Sequence, residues 1–265
     1  VNYTTTNKTG GIMVYKSTKI IRMKGDHRQE EEDVLISEQP LTIYLNDKEI
    51  VTLLCTPQHL EELAVGFLIS EGLLAGEAQV SIDREKGLAF VTGTENKLMG
   101  QTFLKRFITT GCGKGTSFYH FGDIRNKKIG SEVKIPARNL LELMKEMQQH
   151  SELYRMTGCV HSAALCTPEM PLVFREDIGR HNAVDKIVGR CRLDGVDIAD
   201  KLLLTSGRLS SEIVLKVAKI GVPVLASRSA PSDLAVYYAK ELGLTLVGFV
   251  RGMRMNVYSH AERII

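Results

Sequence analysis

Apolar and polar positions alternate in short runs from Gly11 to Cys55, the period of strands with one buried face. The runs are Ile12–Tyr15, Lys19–Met23, Asp33–Ile36, Leu41–Leu45 and Glu49–Leu54, with Asn46-Asp47 as a turn between the last two, and they predict an antiparallel meander. At Thr56-Pro57 the period changes. Thr56 is suited to cap a helix and Pro57 to its first turn, with Leu60, Leu63, Ala64, Phe67 and Leu68 on one face and Gly72 at the end. Short strands follow around Val80–Asp83 and Ala89–Thr92, and then no clear period from Glu95 to about Lys134.

After Pro136 the elements alternate. A helix over Ala137–His150 leads to strands at Val160–Leu165 and Leu172–Arg175. Helices over Asn182–Cys191, Ser211–Ile220 and Ser232–Leu242 then alternate with strands at Lys201–Thr205, Pro223–Ala226 and Thr245–Val250. This pattern predicts an α/β fold: a mainly parallel sheet with flanking helices, plus a smaller β-rich N-terminal domain. The expected division is residues 11–100, a β-rich unit with one helix; 101–135, a glycine-rich loop and connector; and 136–265, an α/β unit with a binding site. Residues before 11 are polar, are expected to form an unstructured leader, and lack the apolar stretch of a secretory signal.

Composition narrows the chemistry. With 34 Lys and Arg against 31 Asp and Glu, the net charge is +3, too little for a protein held to a nucleic acid duplex by many phosphate contacts. No run approaches the roughly 18 apolar residues of a membrane span. The five cysteines, Cys55, Cys112, Cys159, Cys166 and Cys191, include no pair at C-x-x-C spacing, which argues against a zinc ribbon or a disulfide framework and for reduced thiols in a cytoplasmic protein. A zinc deaminase is the enzyme alternative, and the absence of its P-C-x-x-C element argues against it.

Ligands of open α/β sheets sit beyond the carboxyl ends of the strands, and four such ends are rich in Gly, Ser, Arg and Asn. The first offers Arg180, His181 and Asn182 at a helix start suited to an anion. Here the alternative is that Asp177 and Asn182 only cap the helix. The second offers Ser206, Gly207 and Arg208, followed by Ser210 or Ser211 as a cap, and the third Ser229. The fourth runs from Phe249 through Val250, Arg251, Gly252, Met253 and Arg254 to Asn256, where guanidinium groups match phosphate geometry unless they are simply a solvated chain end. Together the four turns outline a pocket for a nucleotide or a pterin dinucleotide.

Cys112 lies between Gly111 and Gly113 with Lys114 two residues on, a setting that allows close approach and favours a thiolate. Cys55, Cys166 and Cys191 fall in apolar patterns and read as core. Cys159 shares a strand face with His161, a weaker candidate for a nucleophile pair.

These segments resemble the formate dehydrogenase accessory sulfurtransferases, the FdhD/NarQ family. The resemblance is carried by Thr56-Pro57 through Gly72, Gly111-Cys112-Gly113, Thr157 to Ala164, Asp177 to Lys186, Ser206-Gly207-Arg208, Ser229-Ala230-Pro231 and Leu246 to Gly252. It implies a homodimer with a cytidine deaminase-like C-terminal domain. It also implies a sulfur carrier that accepts persulfide sulfur from a cysteine desulfurase on Cys112 and passes it to bis-molybdopterin guanine dinucleotide, the molybdenum cofactor, before insertion into the catalytic subunit of formate dehydrogenase. No metal is expected to be held directly by the protein, and Phe249–Arg254 correspond to the cofactor-binding segment. A cofactor-binding chaperone without sulfur transfer is the alternative. The sequence departs from the family pattern at Gly115, where many members have a second loop cysteine, and at Cys159, where they have glycine.

Overall fold

The computed structural model describes residues 8–9, 12–96, 107–108, 116–117 and 128–265. Cys112 and its loop therefore lie outside the described residues.

Two short strands, β1 (Lys8–Thr9) and β2 (Ile12–Met13), pair ahead of a long two-stranded hairpin, β3 (Tyr15–Lys24) and β4 (His27–Ile36). Next come β5 (Gln39–Leu45) and β6 (Lys48–Cys55), helix α1 (Leu60–Ser70), β7 (Leu74–Asp83) and β8 (Leu88–Glu95). Asn46 and Asp47 both have positive φ, 46° and 67°, the two-residue geometry that matches strand twist in a tight hairpin. The expected meander is corrected here. β3 and β4 pair only with each other, and β5 to β8 form a separate sheet in the order β6-β5-β8-β7, with β5 and β8 parallel. The return through α1 explains this: a crossover helix lets β8 lie alongside β5 in the same direction. Leu41, Ile43 and Leu45 alternate into the core with Ala89 and Val91, and α1 covers them with Leu60, Leu63, Ala64 and Leu68.

After the short pair β9 (Phe107–Ile108) and β10 (Thr116–Ser117) come α2 (Ala137–His150), α3 (Glu152–Thr157), β11 (His161–Cys166) and β12 (Pro171–Asp177). The chain continues through α4 (Arg180–Asp194), β13 (Leu202–Thr205), α5 (Ser211–Ile220), β14 (Val224–Ser227), α6 (Asp233–Leu242), β15 (Thr245–Arg251) and β16 (Arg254–Ser259). The α/β class, the flanking helices and the parallel centre of the sheet are as expected; the sheet is ordered β12-β11-β13-β14-β15-β16 and also contains antiparallel pairs. Parallel pairing joins β13 to β14 and β14 to β15; β11 is antiparallel to both its neighbours, and β16 to β15. The β11–β12 and β15–β16 links are too short for a crossover, which forces those pairs antiparallel.

Both faces of this sheet are covered, so its strands read as continuous apolar runs. Leu203, Leu225 and Leu246 face α4, α5 and α6, while Leu202, Leu204, Val224, Ala226 and Val247 face Leu140, Met144 and Met147 of α2.

The two sheets are joined where α1 crosses α4. Gly66 and Gly189 allow backbone contact: a Cβ on Gly66 would run into the carbonyl of Asp185, and one on Gly189 into that of Glu62. Buried ion pairs flank the crossing. Arg175 forks onto Glu62, Nη2 to Oε1 at 2.6 Å, and Lys216 holds Asp185 at 2.7 Å and Glu71 at 3.3 Å.

Thr56 does not cap α1. The helix starts at Leu60 after His59, which has φ 53° and makes no side-chain cap bond. Thr56 is buried and faces the other unit: its amide donates to Asp177 Oδ2 at 3.1 Å, and its hydroxyl accepts from the Ile178 amide at 3.1 Å. The polar demand of Asp177 outweighs local capping.

Candidate functional site

A cleft of about 700 Å³ opens at the carboxyl ends of the parallel strands. Ser206 after β13, Arg228 and Ser229 after β14, and Arg251 at the end of β15 line it. Ser151, Tyr154 and Arg155 of the α2–α3 region line it too, with Cys159 and His161.

Each group is placed by a local device. Gly158, with φ 67°, ends α3 in the left-handed conformation favoured by glycine. The chain then turns into β11, and the Cys159 amide donates to Thr157 Oγ1 at 3.3 Å. The Cys159 side chain is exposed. His161 begins β11, its Nδ1 3.3 Å from Ser206 Oγ, which also accepts the Ser162 amide at 3.0 Å. Desolvation first, and then the electrostatic influence of Arg180, His181 and Arg208, hold the His161 imidazole below the usual histidine range.

Arg251 reaches the cleft through a bulge. The β15–β16 register shifts between Gly248 and Arg251, and Phe249 takes φ 52°, a left-handed conformation costly for an aromatic residue. The Phe249 amide is held by the Ser229 carbonyl at 3.1 Å. Arg251 then donates through Nε to the Arg228 carbonyl at 2.8 Å, and its guanidinium carbon lies 5.8 Å from the Phe249 ring centre. Arg228 keeps a buried Nε with no hydrogen-bond partner among the described residues.

Of the sequence-predicted residues, Ser206, Ser229 and Arg251 line this cleft. Arg180, His181 and Arg208 lie around His161 without lining the cleft, and His181 Nε2 is 3.3 Å from Glu212 Oε2. Val250, Asn182 and Gly207 do not line this cleft. Val250 is 1% exposed and packs in the apolar cluster of α2, because the strand points it to the covered face. The buried amide of Asn182 donates to the Leu54 carbonyl at 2.8 Å and to Asp177 Oδ1 at 2.9 Å, tying the two units together. Gly207 gives its carbonyl to Ser227 Oγ at 2.6 Å and lies against the Arg180 side chain. Gly252, with φ 57°, and Met253, 89% exposed, form the β15–β16 turn, while Arg254 and Asn256 belong to β16, a strand not predicted from the sequence. Asn256 donates to the Tyr258 hydroxyl at 3.3 Å.

Ser210 is the N-cap residue of α5 by backbone geometry, but its hydroxyl makes no cap bond. Tyr154 and Arg155 were missed because α3 has six residues, too few to show a helical period. Glu176 positions that helix: its carboxylate accepts the amides of Leu153 and Tyr154, each at 3.2 Å. Among the described residues, no group of three His, Cys, Asp or Glu side chains is arranged to hold a metal ion.

Fold and cleft thus define a two-sheet α/β protein with a cationic, thiol-bearing cleft at its strand ends. The chain belongs to the FdhD/NarQ family, whose model matches residues 36–265. It is 48% identical over 238 residues to the sulfur carrier protein FdhD of Bacillus subtilis (strain 168), covering 88% of this chain and 91% of that protein. With the sulfur carrier protein FdhD of Bacillus licheniformis it shares 44% identity over 259 residues, covering 96% and 98%. Among solved structures, a candidate formate dehydrogenase accessory protein from Desulfotalea psychrophila superposes with a TM-score of 0.77 at 30% identity, over 95% of this chain and 100% of that one.

Proposed function

We propose that this protein is a sulfur carrier serving formate dehydrogenase. The observation that carries the reading is family membership across residues 36–265, with relatives at 44–48% identity named as sulfur carriers. The cleft is consistent with it, since Arg155, Arg228 and Arg251 converge on a space that suits one nucleotide arm of an anionic dinucleotide.

In its finer form, Cys112 accepts sulfur as a persulfide from a cysteine desulfurase, acting as a sulfurtransferase in the cytoplasm. The sulfur passes to bis-molybdopterin guanine dinucleotide, which this protein binds as a substrate through the arginine cleft and releases to the catalytic subunit of formate dehydrogenase. The chain is proposed to work as a homodimer. Among the described residues, no helix is long and apolar enough to cross a membrane.

The test is a Cys112→Ala variant that still binds the cofactor, introduced into cells lacking the native protein. Loss of formate dehydrogenase activity supports sulfur transfer. Full activity overturns it in favour of a chaperone that only holds the cofactor.

A further inference from the structure

Four of the five cysteines are among the described residues, and they divide sharply. Cys55, Cys166 and Cys191 are buried, and burial pushes their thiols up to about 12, about 12 and about 11. At neutral pH they are protonated and enclosed, which removes them from sulfur chemistry. Cys159 is exposed and opens into the same cleft as Arg155, Arg228 and Arg251.

Cys159 is not an isolated thiol. His161, two residues on, lines the same cleft, as does Arg228, whose buried Nε has no acceptor among the described residues. Three arginines, Arg155, Arg228 and Arg251, lining one cleft with an exposed thiol suit an anionic guest. A persulfide bound there as its anion would meet the positive charge of these arginines. The His161 imidazole, lining the same cleft, can receive the Cys159 proton.

We propose that Cys159 is a second sulfur-accepting thiol, located inside the cleft, that takes sulfur from an incoming protein persulfide. The Cys159 thiolate attacks the outer sulfur of the donor. A new S–S bond forms on Cys159, the S–S bond of the donor breaks, and the donor leaves as a thiolate that recovers the proton lost by Cys159. One thiol and one persulfide become one persulfide and one thiol, so no external oxidant or reductant is needed. This step rests on the sulfur-carrier reading and places the mobile sulfur beside the cationic groups proposed to hold the acceptor.

The experiment uses the full chain with a cysteine desulfurase and cysteine, followed by alkylation of persulfides and peptide mapping by mass spectrometry. The Cys159 peptide is expected to carry one additional sulfur. In Cys159→Ser that adduct is lost, Cys112 remains sulfurated, and maturation of formate dehydrogenase falls by about tenfold or more. Because residue 159 is exposed, this variant is expected to unfold in urea at the wild-type midpoint. A Cys159 peptide that never gains sulfur while Cys112 does, or wild-type maturation by Cys159→Ser, overturns the proposal and leaves the sulfur-carrier reading standing. Absence of sulfur from both peptides overturns both.

Discussion

Lys186 Nζ lies 2.6 Å from Asp177 Oδ2, and neither side chain has any exposed surface. The pair is completed by neighbours: Lys186 also reaches the carbonyls of Thr56 and Glu176, and Asp177 accepts from Thr56, Gly179 and Asn182. Two opposite charges satisfied in this way are tolerable, but one alone is not. Lys186→Met therefore strands a buried carboxylate and is expected to lower unfolding free energy by about 3–5 kcal/mol, read as a reduced urea midpoint. Lys186→Met with Asp177→Asn restores part of that loss.

Glu176 gives a pH signature. Burial pushes its carboxyl up to about 7, against the downward pull of the Leu153 and Tyr154 amides. In the unfolded chain the group titrates near 4.5, so the folded state holds the extra proton between these values. The resulting stability is full below about pH 4.5 and is lost as pH rises through 7. Relative to Glu176→Gln, the wild type is expected to lose about 1–3 kcal/mol between pH 5 and pH 8, measured by urea titration at each pH.

The sequence made much of this legible, for identifiable reasons. Helices α2 and α5 and the strands of the second sheet announced themselves because two-sided burial writes long apolar runs. β16 also carried a strand signal, with Met255 and Val257 alternating inward between Arg254, Asn256 and Tyr258, but its arginine and asparagine drew a binding reading instead. The bulge at Phe249 had no warning: left-handed backbone is expected at glycine, and the adjacent Gly248 offered the easier position. The sequence put Cys159 on a strand face with His161, but Cys159 precedes β11, which begins at His161, and the two share the cleft rather than a strand. The meeting of Cys159 with Arg155 and Arg228 depends on three separate elements and is a tertiary fact.

Arg251 is held out from the β15 bulge over the cleft by the Arg228 carbonyl. With GDP as a probe of the nucleotide subsite, Arg251→Ala is expected to weaken binding by about tenfold, the loss of one or two charge-assisted hydrogen bonds. Calorimetry at two salt concentrations checks this, and the wild type should show the steeper salt dependence.

Thiol reactivity should follow burial. With iodoacetamide at pH 8, Cys159 is expected to alkylate in the native protein, while Cys55, Cys166 and Cys191 react only after denaturation. Peptide mapping over a time course separates the two groups.

The crossing of α1 and α4 governs how the gene can be cut. A break after residue 127 leaves Glu62 and Glu71 on one fragment and their cations, Arg175 and Lys216, on the other. It also opens the glycine trough at Gly66 and Gly189 to water on both pieces. Two sheets suggest two separable modules, but the seam makes them mutual scaffolds, so fragments of this chain call for co-expression rather than independent purification.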